Sequence, residues 1–273
     1  MLRNPRVSQF EKLPVEFDQF IKSEFYRYSG TFRHENDEMY NQHMEVKEVH
    51  TSKVYNEIID LGKWLGMNNE ELAFAGVIAW LHDIGRFEQF DKYGTFNDGE
   101  SVNHAELSVD VTKRLGLLND LNSGLQEVII RAILNHNIPR VPANENKTTD
   151  FYSRLLRDAD KLDIWRLAIE IDIFHKISET KHPDYYEVPD ILLDYFKRGD
   201  TIYLKDVDSF YDSILFRVSW VYDLNFSHSL GEFGKRNIAN RFLAKVPSSD
   251  RLKQVETLVD DFVNAGVNNL KTV

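Results

Sequence analysis

Apolar residues recur at intervals of three and four along most of the chain, and they seldom alternate with polar residues. This period is typical of α-helices that bury one face. Glycine and proline, which interrupt regular structure, number only 13 and 7. The sequence therefore predicts an all-α fold, with a single helical domain over residues 1–273.

Six helices are predicted in the first two thirds of the chain. They cover approximately Val15–Tyr28, Asn41–Leu65, Glu70–Gly85, Ser101–Leu115, Leu125–Asn137 and Phe151–Ile177. The polar and aromatic segment Phe87–Gly99 is predicted to be a loop, with Ser101 capping the helix that follows. A turn is predicted at His182–Pro183. Residues 41–177 are expected to form the core of the domain, and residues 178–273 a helical extension packed on that core.

Four of these helices each place a histidine on their apolar face. His50 and His82 lie in the apolar stripes of the second and third helices, and His104 and His136 in those of the fourth and fifth. Asp83 follows His82 within the sequence AWLHDIG. Buried imidazoles and carboxylates are costly unless they are paired or bind something. Their convergence in one core indicates a metal site.

The sixth helix offers two acids to the same core. Asp158 and Asp160 each have apolar residues at helical spacing on their own face. Periodicity leaves the choice between them open.

The chain has no cysteine, which excludes disulfides, thiolate catalysis and cysteine-ligated zinc or iron–sulfur clusters. A metal must then be held by imidazole and carboxylate groups. We expect one or two divalent ions from the set Mn, Fe, Mg, Co, Ni and Zn. Six ligands with one bridging carboxylate are enough for a metal pair about 3.5–4 Å apart.

The charge balance disfavours a polyanionic partner. The 33 Lys and Arg residues are outnumbered by 44 Asp and Glu residues, giving a formal net charge of −11. Coating of nucleic acid or binding to an anionic membrane is therefore not expected. The longest apolar run, Ala73–Leu81, is too short to span a bilayer, and the first residues show no apolar signal segment. We expect a cytoplasmic protein, and the oligomeric state is left open.

The order of these residues also carries a family resemblance. His50, then His82–Asp83, then Asp160, with LHDIGRF and RDADKLD around them, resembles the HD-domain superfamily of metal-dependent phosphohydrolases over roughly Lys47–Ala168. The resemblance implies that these four side chains bind one metal. The family's ADxL pattern, read here as ADKL, selects Asp160 over the neighbouring acid.

Members of the family that hold two metals add two histidines between the doublet and the last aspartate. His104, in NHAEL, and His136, in ILNHN, occupy the corresponding places. The chain departs from the family pattern at Asn137, where many members have a second histidine, and at Arg86, where lysine is common. Alternatively, His104 and His136 hydrogen-bond a substrate phosphate over a single metal.

The activity implied by this resemblance is hydrolysis of a phosphomonoester or phosphodiester by metal-activated hydroxide. A small phosphorylated substrate is expected, such as a nucleotide or a related metabolite. Asp83 would bridge or orient the hydroxide, and Arg86 would neutralise charge on the phosphate. Two alternatives use the same residues: a di-iron oxygenase, and a non-catalytic nucleotide-binding regulatory module.

The remaining features carry less chemistry. The segment Phe87–Phe96 is either a lid over the site or a packed surface loop. His43, two turns before His50, is interpreted as a solvated or supporting residue rather than a ligand. The other histidines show no convergent spacing and are set aside: His34, His175, His182 and His228.

Overall fold

The computed structural model describes residues 15–170 and 184–268. Every regular element in these ranges is helical, so the predicted all-α fold is confirmed. The α-helices are α1 (Val15–Gly30), α2 (Glu38–Trp64), α3 (Asn69–Leu81), α4 (Arg86–Tyr93), α5 (His104–Arg114), α6 (Ser123–His136), α7 (Lys147–Glu170), α8 (Asp190–Arg198), α9 (Phe210–Ser219), α10 (Ser227–Lys235), α11 (Ile238–Leu243) and α12 (Asp250–Asn268).

The chain divides into two compact units, residues 2–160 and residues 161–273, and the division falls within α7. The predicted boundary between residues 177 and 178 lies outside the described residues. The same is true of the predicted helix end at Ile177 and the predicted turn at His182–Pro183. The single-domain organisation stays a prediction.

Helix α3 is the centre of the first unit. All residues from Ala73 to Leu81 are buried, so this helix has no solvated face and packs against α1, α2, α5 and α6. Its first turn is closed by a capping box between Asn68 and Glu71. Because the helix ends at Leu81, the residues that follow it emerge inside the core.

The prediction of a loop over Phe87–Gly99 was wrong for its first half. Residues Arg86–Tyr93 form helix α4, which ends at Gly94 with a left-handed φ of 66°. Phe87 is fully buried, and Lys92 pairs with Glu88 one turn earlier at 2.6 Å. The segment is a short amphipathic helix whose apolar positions are aromatic instead of aliphatic.

Helix α5 begins at His104, three residues later than predicted. The side-chain oxygen of Asn103 accepts hydrogen bonds from the backbone N–H groups of Ala105, at 2.9 Å, and Glu106, at 3.3 Å. Asn103 is therefore the N-cap. Ser101, the predicted cap, donates its hydroxyl proton to the carbonyl of Asn97 instead.

The second unit has its own core, in which Trp165, Phe233 and Phe242 are among the largest buried side chains. The indole N–H of Trp165 donates to the carbonyl of Arg217 at 3.0 Å. Within residues 15–170 and 184–268, no helix joins the length and the apolar character that crossing a bilayer requires.

The close approach of α4 and α5 depends on the absence of a side chain at Gly85. A Cβ built there would lie 2.6 Å from the backbone nitrogen of Ser108 and 2.8 Å from the carbonyl carbon of Leu107. We expect Gly85→Ala to destabilise the protein by about 1–3 kcal/mol, because backbone atoms must move to admit the methyl group. Thermal unfolding followed by circular dichroism measures this effect. Gly30→Ala is the matched control, since a Cβ there meets nothing within 4 Å, and equal melting temperatures for the two variants would contradict the explanation.

Candidate metal centre

The six predicted ligand side chains lie together in the core of the first unit, near the C-terminal end of α3. All six are buried. Five chain segments supply them: α2, the turn after α3, the first residue of α5, the last residue of α6, and α7. In that order they are His50, His82 with Asp83, His104, His136 and Asp160.

The Asp83 carboxylate lies between two groups of ligand atoms. Its Oδ2 is 3.6 Å from Nε2 of His50 and 3.9 Å from Nε2 of His82. Its Oδ1 is 3.6 Å from Nε2 of His104 and 3.9 Å from Nε2 of His136. We call His50, His82 and Asp83 the first group, and Asp83, His104 and His136 the second group; in each, the ligand atoms lie within 4.8 Å of one another.

Asp160 completes the first group. Its Oδ1 lies 3.2 Å from Nε2 of His50 and 3.7 Å from Nε2 of His82. Ligand atoms bound at about 2.1 Å to one metal lie roughly 3–3.5 Å apart. The first group therefore offers two imidazoles and two carboxylates at spacings close to those of a coordination shell.

The orientation of three imidazoles is fixed through their Nδ1 atoms. Nδ1 of His82 lies 2.7 Å from the carbonyl oxygen of Ala79, and Nδ1 of His136 lies 2.6 Å from that of Ile133. Because a carbonyl oxygen only accepts, both Nδ1 atoms must carry the proton. Nδ1 of His104 is likewise 2.6 Å from a carboxylate oxygen of Asp98. The Nε2 atoms then face the centre, as in a metal ligand whose other ring nitrogen is held in place.

This arrangement makes the second group electron-rich. Nε2 of His104 and Nε2 of His136 are 2.9 Å apart. In neutral rings that carry their proton on Nδ1, neither Nε2 has a proton to donate. Two lone pairs at this distance repel each other. A cation that accepts both lone pairs turns this repulsion into coordination.

Two buried polar atoms of the centre have no hydrogen-bond partner among the described residues. They are Nε2 of His82 and Oδ1 of Asp83. Unpaired buried polar atoms are rare, and each needs an explanation. Both atoms face a ligand group, so the residues present fit one or two divalent metal ions.

The electrostatics keep the second group ready to bind a cation. Burial, together with the neighbouring His104 and His82, lowers the pKa of His136 to about 3. Burial also lowers the pKa of His104, against the opposing effect of Asp98. Both imidazoles are therefore neutral at pH 7 and can offer their Nε2 lone pairs.

The carboxylate between the groups is ionised. Burial tends to raise the pKa of Asp83, but the charges of Lys47 and Arg86, together with the adjacent imidazoles, outweigh it and hold that pKa well below its usual value. Burial lowers the pKa of Lys47, and the charge of Asp83 opposes that effect. Asp83 thus remains an anion that can bind two cations.

Two residues near the centre escaped the sequence reasoning. Nζ of Lys47 lies 2.9 Å from Oδ2 of Asp83. The spacing contained a signal, because Lys47 is three residues before His50 on α2 and so shares its face. Asp98, in the connection between α4 and α5, accepts a hydrogen bond from Nδ1 of His104. Helical periodicity could not identify it, because it lies outside the α-helices.

Arg86, predicted to contact phosphate, lies beside the centre. Its Nε is 3.5 Å from Oδ1 of Asp83. Its Nη1 donates to Gln89, at 2.7 Å, to the carbonyl of Phe96, at 2.7 Å, and to Asp98, at 3.0 Å. A phosphate-binding role for Arg86 stays a prediction.

The other histidines among the described residues do not join either ligand group. His43 stacks on Phe90 with 4.6 Å between ring centroids, and the exposed His34 stacks on Tyr40 at 4.2 Å. His228 belongs to the second unit. His175 and His182 lie outside the described residues.

Comparison with known proteins gives one match. The family model HD domain matches residues 48–165. A search of curated proteins and a search of solved structures find no match. The matched residues contain all six side chains of the centre, in the order that the sequence resemblance predicted. Residues 48–165 thus match an HD domain, in agreement with the family resemblance of the sequence.

Proposed function

We propose that this protein is a metal-dependent phosphohydrolase that acts on a phosphomonoester or phosphodiester of a small metabolite. One observation carries the proposal: the two oxygens of the buried Asp83 face two separate groups of buried ligand atoms. A carboxylate that bridges two cations is the arrangement used to clamp a phosphoryl group from both sides. The match to the HD domain, whose superfamily members are generally metal-dependent hydrolases, supports the same chemistry.

A divalent metal, when bound, polarises a phosphoryl oxygen and lowers the pKa of water so that a nucleophile is available at neutral pH. The residues of this chain supply the rest. His50, His82 and Asp160 would hold the first position, and His104 and His136 the second. Asp83 would belong to both positions and orient the attacking water towards phosphorus.

The positive charges of Lys47 and Arg86 lie beside different oxygens of Asp83. Nζ of Lys47 is 2.9 Å from Oδ2, and Nε of Arg86 is 3.5 Å from Oδ1. Only 13% of the Lys47 side chain and 12% of the Arg86 side chain are exposed, so their charges are less screened than charges at the surface. Charge that develops on a phosphate in this environment is stabilised more strongly than at a protein surface. We propose an anionic substrate of low molecular weight, such as a nucleotide, in spite of the net charge of −11.

The proposed activity is tested by removing the charge of Asp83. Wild-type protein should hydrolyse at least one member of a panel of nucleotides and chromogenic phosphate esters with Mn²⁺, Mg²⁺, Co²⁺ or Fe²⁺. Asp83→Asn should lower kcat/KM by at least ~100-fold, because the bridging charge is lost from both groups. Steady-state kinetics measure this effect.

Asp60→Asn is the matched control, since Asp60 is an aspartate on α2 with a side chain 70% exposed. It should retain wild-type kinetics. Full metal-dependent turnover by Asp83→Asn would contradict the proposal. Consumption of O₂ with iron, and no hydrolysis with redox-inert Mg²⁺ or Zn²⁺, would favour the oxygenase alternative.

Metal binding is also expected to stabilise the fold. Mn²⁺ at about 100 times its dissociation constant should stabilise the wild-type protein by ~2.7 kcal/mol, because the ion binds the folded chain and not the unfolded one. The melting temperature should therefore rise when Mn²⁺ is added after EDTA treatment. His82→Ala should reduce this rise in melting temperature. His34→Ala, at an exposed histidine outside both groups, should show the same rise as wild type. An equal rise in the two variants would show that the stabilising ion binds elsewhere.

A further inference from the structure

The three oriented histidines of the centre differ in what orients them. His82 and His136 donate Nδ1–H to carbonyl oxygens of their own helices, three residues earlier. These acceptors belong to the backbone, so they are present with any side chain. His104 alone among the three donates to a side chain, the carboxylate of Asp98 at 2.6 Å. The second group therefore depends on a residue that lies in the connection between α4 and α5.

Asp98 is held from two sides. Its Oδ2 accepts from Nδ1 of His104, and its Oδ1 accepts from Nη1 of Arg86 and from Nε2 of Gln89, both at 3.0 Å. Arg86 and Gln89 lie one turn apart on α4, so the carboxylate is fixed to a helix rather than to the connection alone.

The same two side chains hold the rest of the connection. Fully buried Gln89 also donates to the hydroxyl of Ser101 at 2.8 Å and to the carbonyl of Val102 at 3.0 Å. Arg86 also donates to the carbonyl of Phe96 at 2.7 Å. The connection from residue 96 to residue 102 is therefore tied to α4 at several points.

The chain beside His136 is hydrogen-bonded to the N-terminus of α5, where His104 lies. Nδ2 of Asn137 donates to the side-chain oxygen of Asn103 at 3.0 Å, and Asn103 is the N-cap of α5. His104 and His136 are the neighbours of these two asparagines. The backbone around both histidines is thereby fixed, which leaves the His104 ring itself to be set by Asp98.

We propose that Asp98 is a positioning residue for the second metal position. Its carboxylate keeps the proton of His104 on Nδ1, so that Nε2 presents its lone pair beside His136 and Asp83. In the first group, His82 is oriented by a backbone carbonyl instead. This inference rests on the proposed metal-dependent function and adds that one of the two positions is controlled through the connection between α4 and α5.

The test is the number of Mn²⁺ ions bound per chain as free Mn²⁺ is raised, measured on the full chain by equilibrium dialysis and elemental analysis. Wild-type protein should bind two equivalents. In Asp98→Asn the first equivalent should bind as in wild type, whereas the second should need ~10–100-fold more free Mn²⁺, the usual effect of losing a partner of a metal ligand. His104→Ala provides the reference for loss of the second position.

Glu106→Gln is the matched control, because it removes an exposed carboxylate from the first turn of the helix that begins with His104. It should bind two equivalents with wild-type affinity. ¹⁵N NMR of the metal-free proteins adds a readout that a general loss of stability would not move: His104 should be the Nδ1–H tautomer in wild type and a mixture of tautomers in Asp98→Asn. If Asp98→Asn does not fold, Asp98→Glu, which keeps the charge and displaces it by one methylene, should weaken the second equivalent in the same way.

The possible failures are distinguishable. Wild-type protein that binds no Mn²⁺ would contradict the proposed function, and this inference with it. Two equivalents bound with unchanged affinity by Asp98→Asn would overturn the inference and leave the proposed function intact. One equivalent in wild type, unaffected by His104→Ala, would overturn the inference and the second metal position of the proposed function, whereas hydrolysis dependent on the first position would still support the proposed activity.

Discussion

The burial of one carboxylate constrains the rest of the centre. An ion in a protein core is tolerated only if opposite charges and hydrogen-bond partners compensate for the lost water. Asp83 obtains this compensation from Lys47 and Arg86, one at each oxygen, with imidazoles on both sides. Asp83 reaches this depth because α3, whose residues from Ala73 to Leu81 are all buried, ends two residues before it. The apolar character of α3 therefore determines where the site lies.

Helix ends supply much of the orientation that such a site requires. The last four carbonyl groups of an α-helix have no partner within the helix. His82 and His136 stand at the C-terminal ends of α3 and α6, and each ring N–H satisfies one of these carbonyls, at Ala79 and Ile133. The same hydrogen bond both satisfies the helix end and turns Nε2 towards the centre. Two structural requirements are met by one side chain in each case.

These relations explain which parts of the centre the sequence predicted. A histidine in an apolar helical stripe must face the core, so His50 and His136 could be placed without coordinates. Periodicity left Asp158 and Asp160 open. The structure brings Oδ1 of Asp160 within 3.2 Å of Nε2 of His50, in agreement with the family pattern that selected it. Helical spacing therefore placed the histidines, but it could not choose between the two acids of α7.

The parts that could not be predicted are contacts made across short or irregular segments. Helix α4 has only eight residues, and its apolar residues are aromatic and separated by polar ones, so its sequence was interpreted as a loop. Asp98 reaches His104 because Arg86 and Gln89 of α4 hold its carboxylate by hydrogen bonds. Sequence spacing does not reveal contacts of this kind. The replacement of a second histidine by Asn137 is explained in the same way, since its amide joins the N-cap of α5.

The two ligand groups thus differ in how robustly they are built. His82 of the first group is oriented by backbone, which persists through side-chain substitution, and Asp160 reaches both histidines of that group directly. The second group brings two neutral imidazoles within 2.9 Å and relies on a loop carboxylate to orient one of them. A site of this kind is most stable when a cation relieves the repulsion, so cation binding at the proposed second position and order in the connection between α4 and α5 would support each other. Asymmetry between the positions is therefore a consequence of where each histidine lies on its helix.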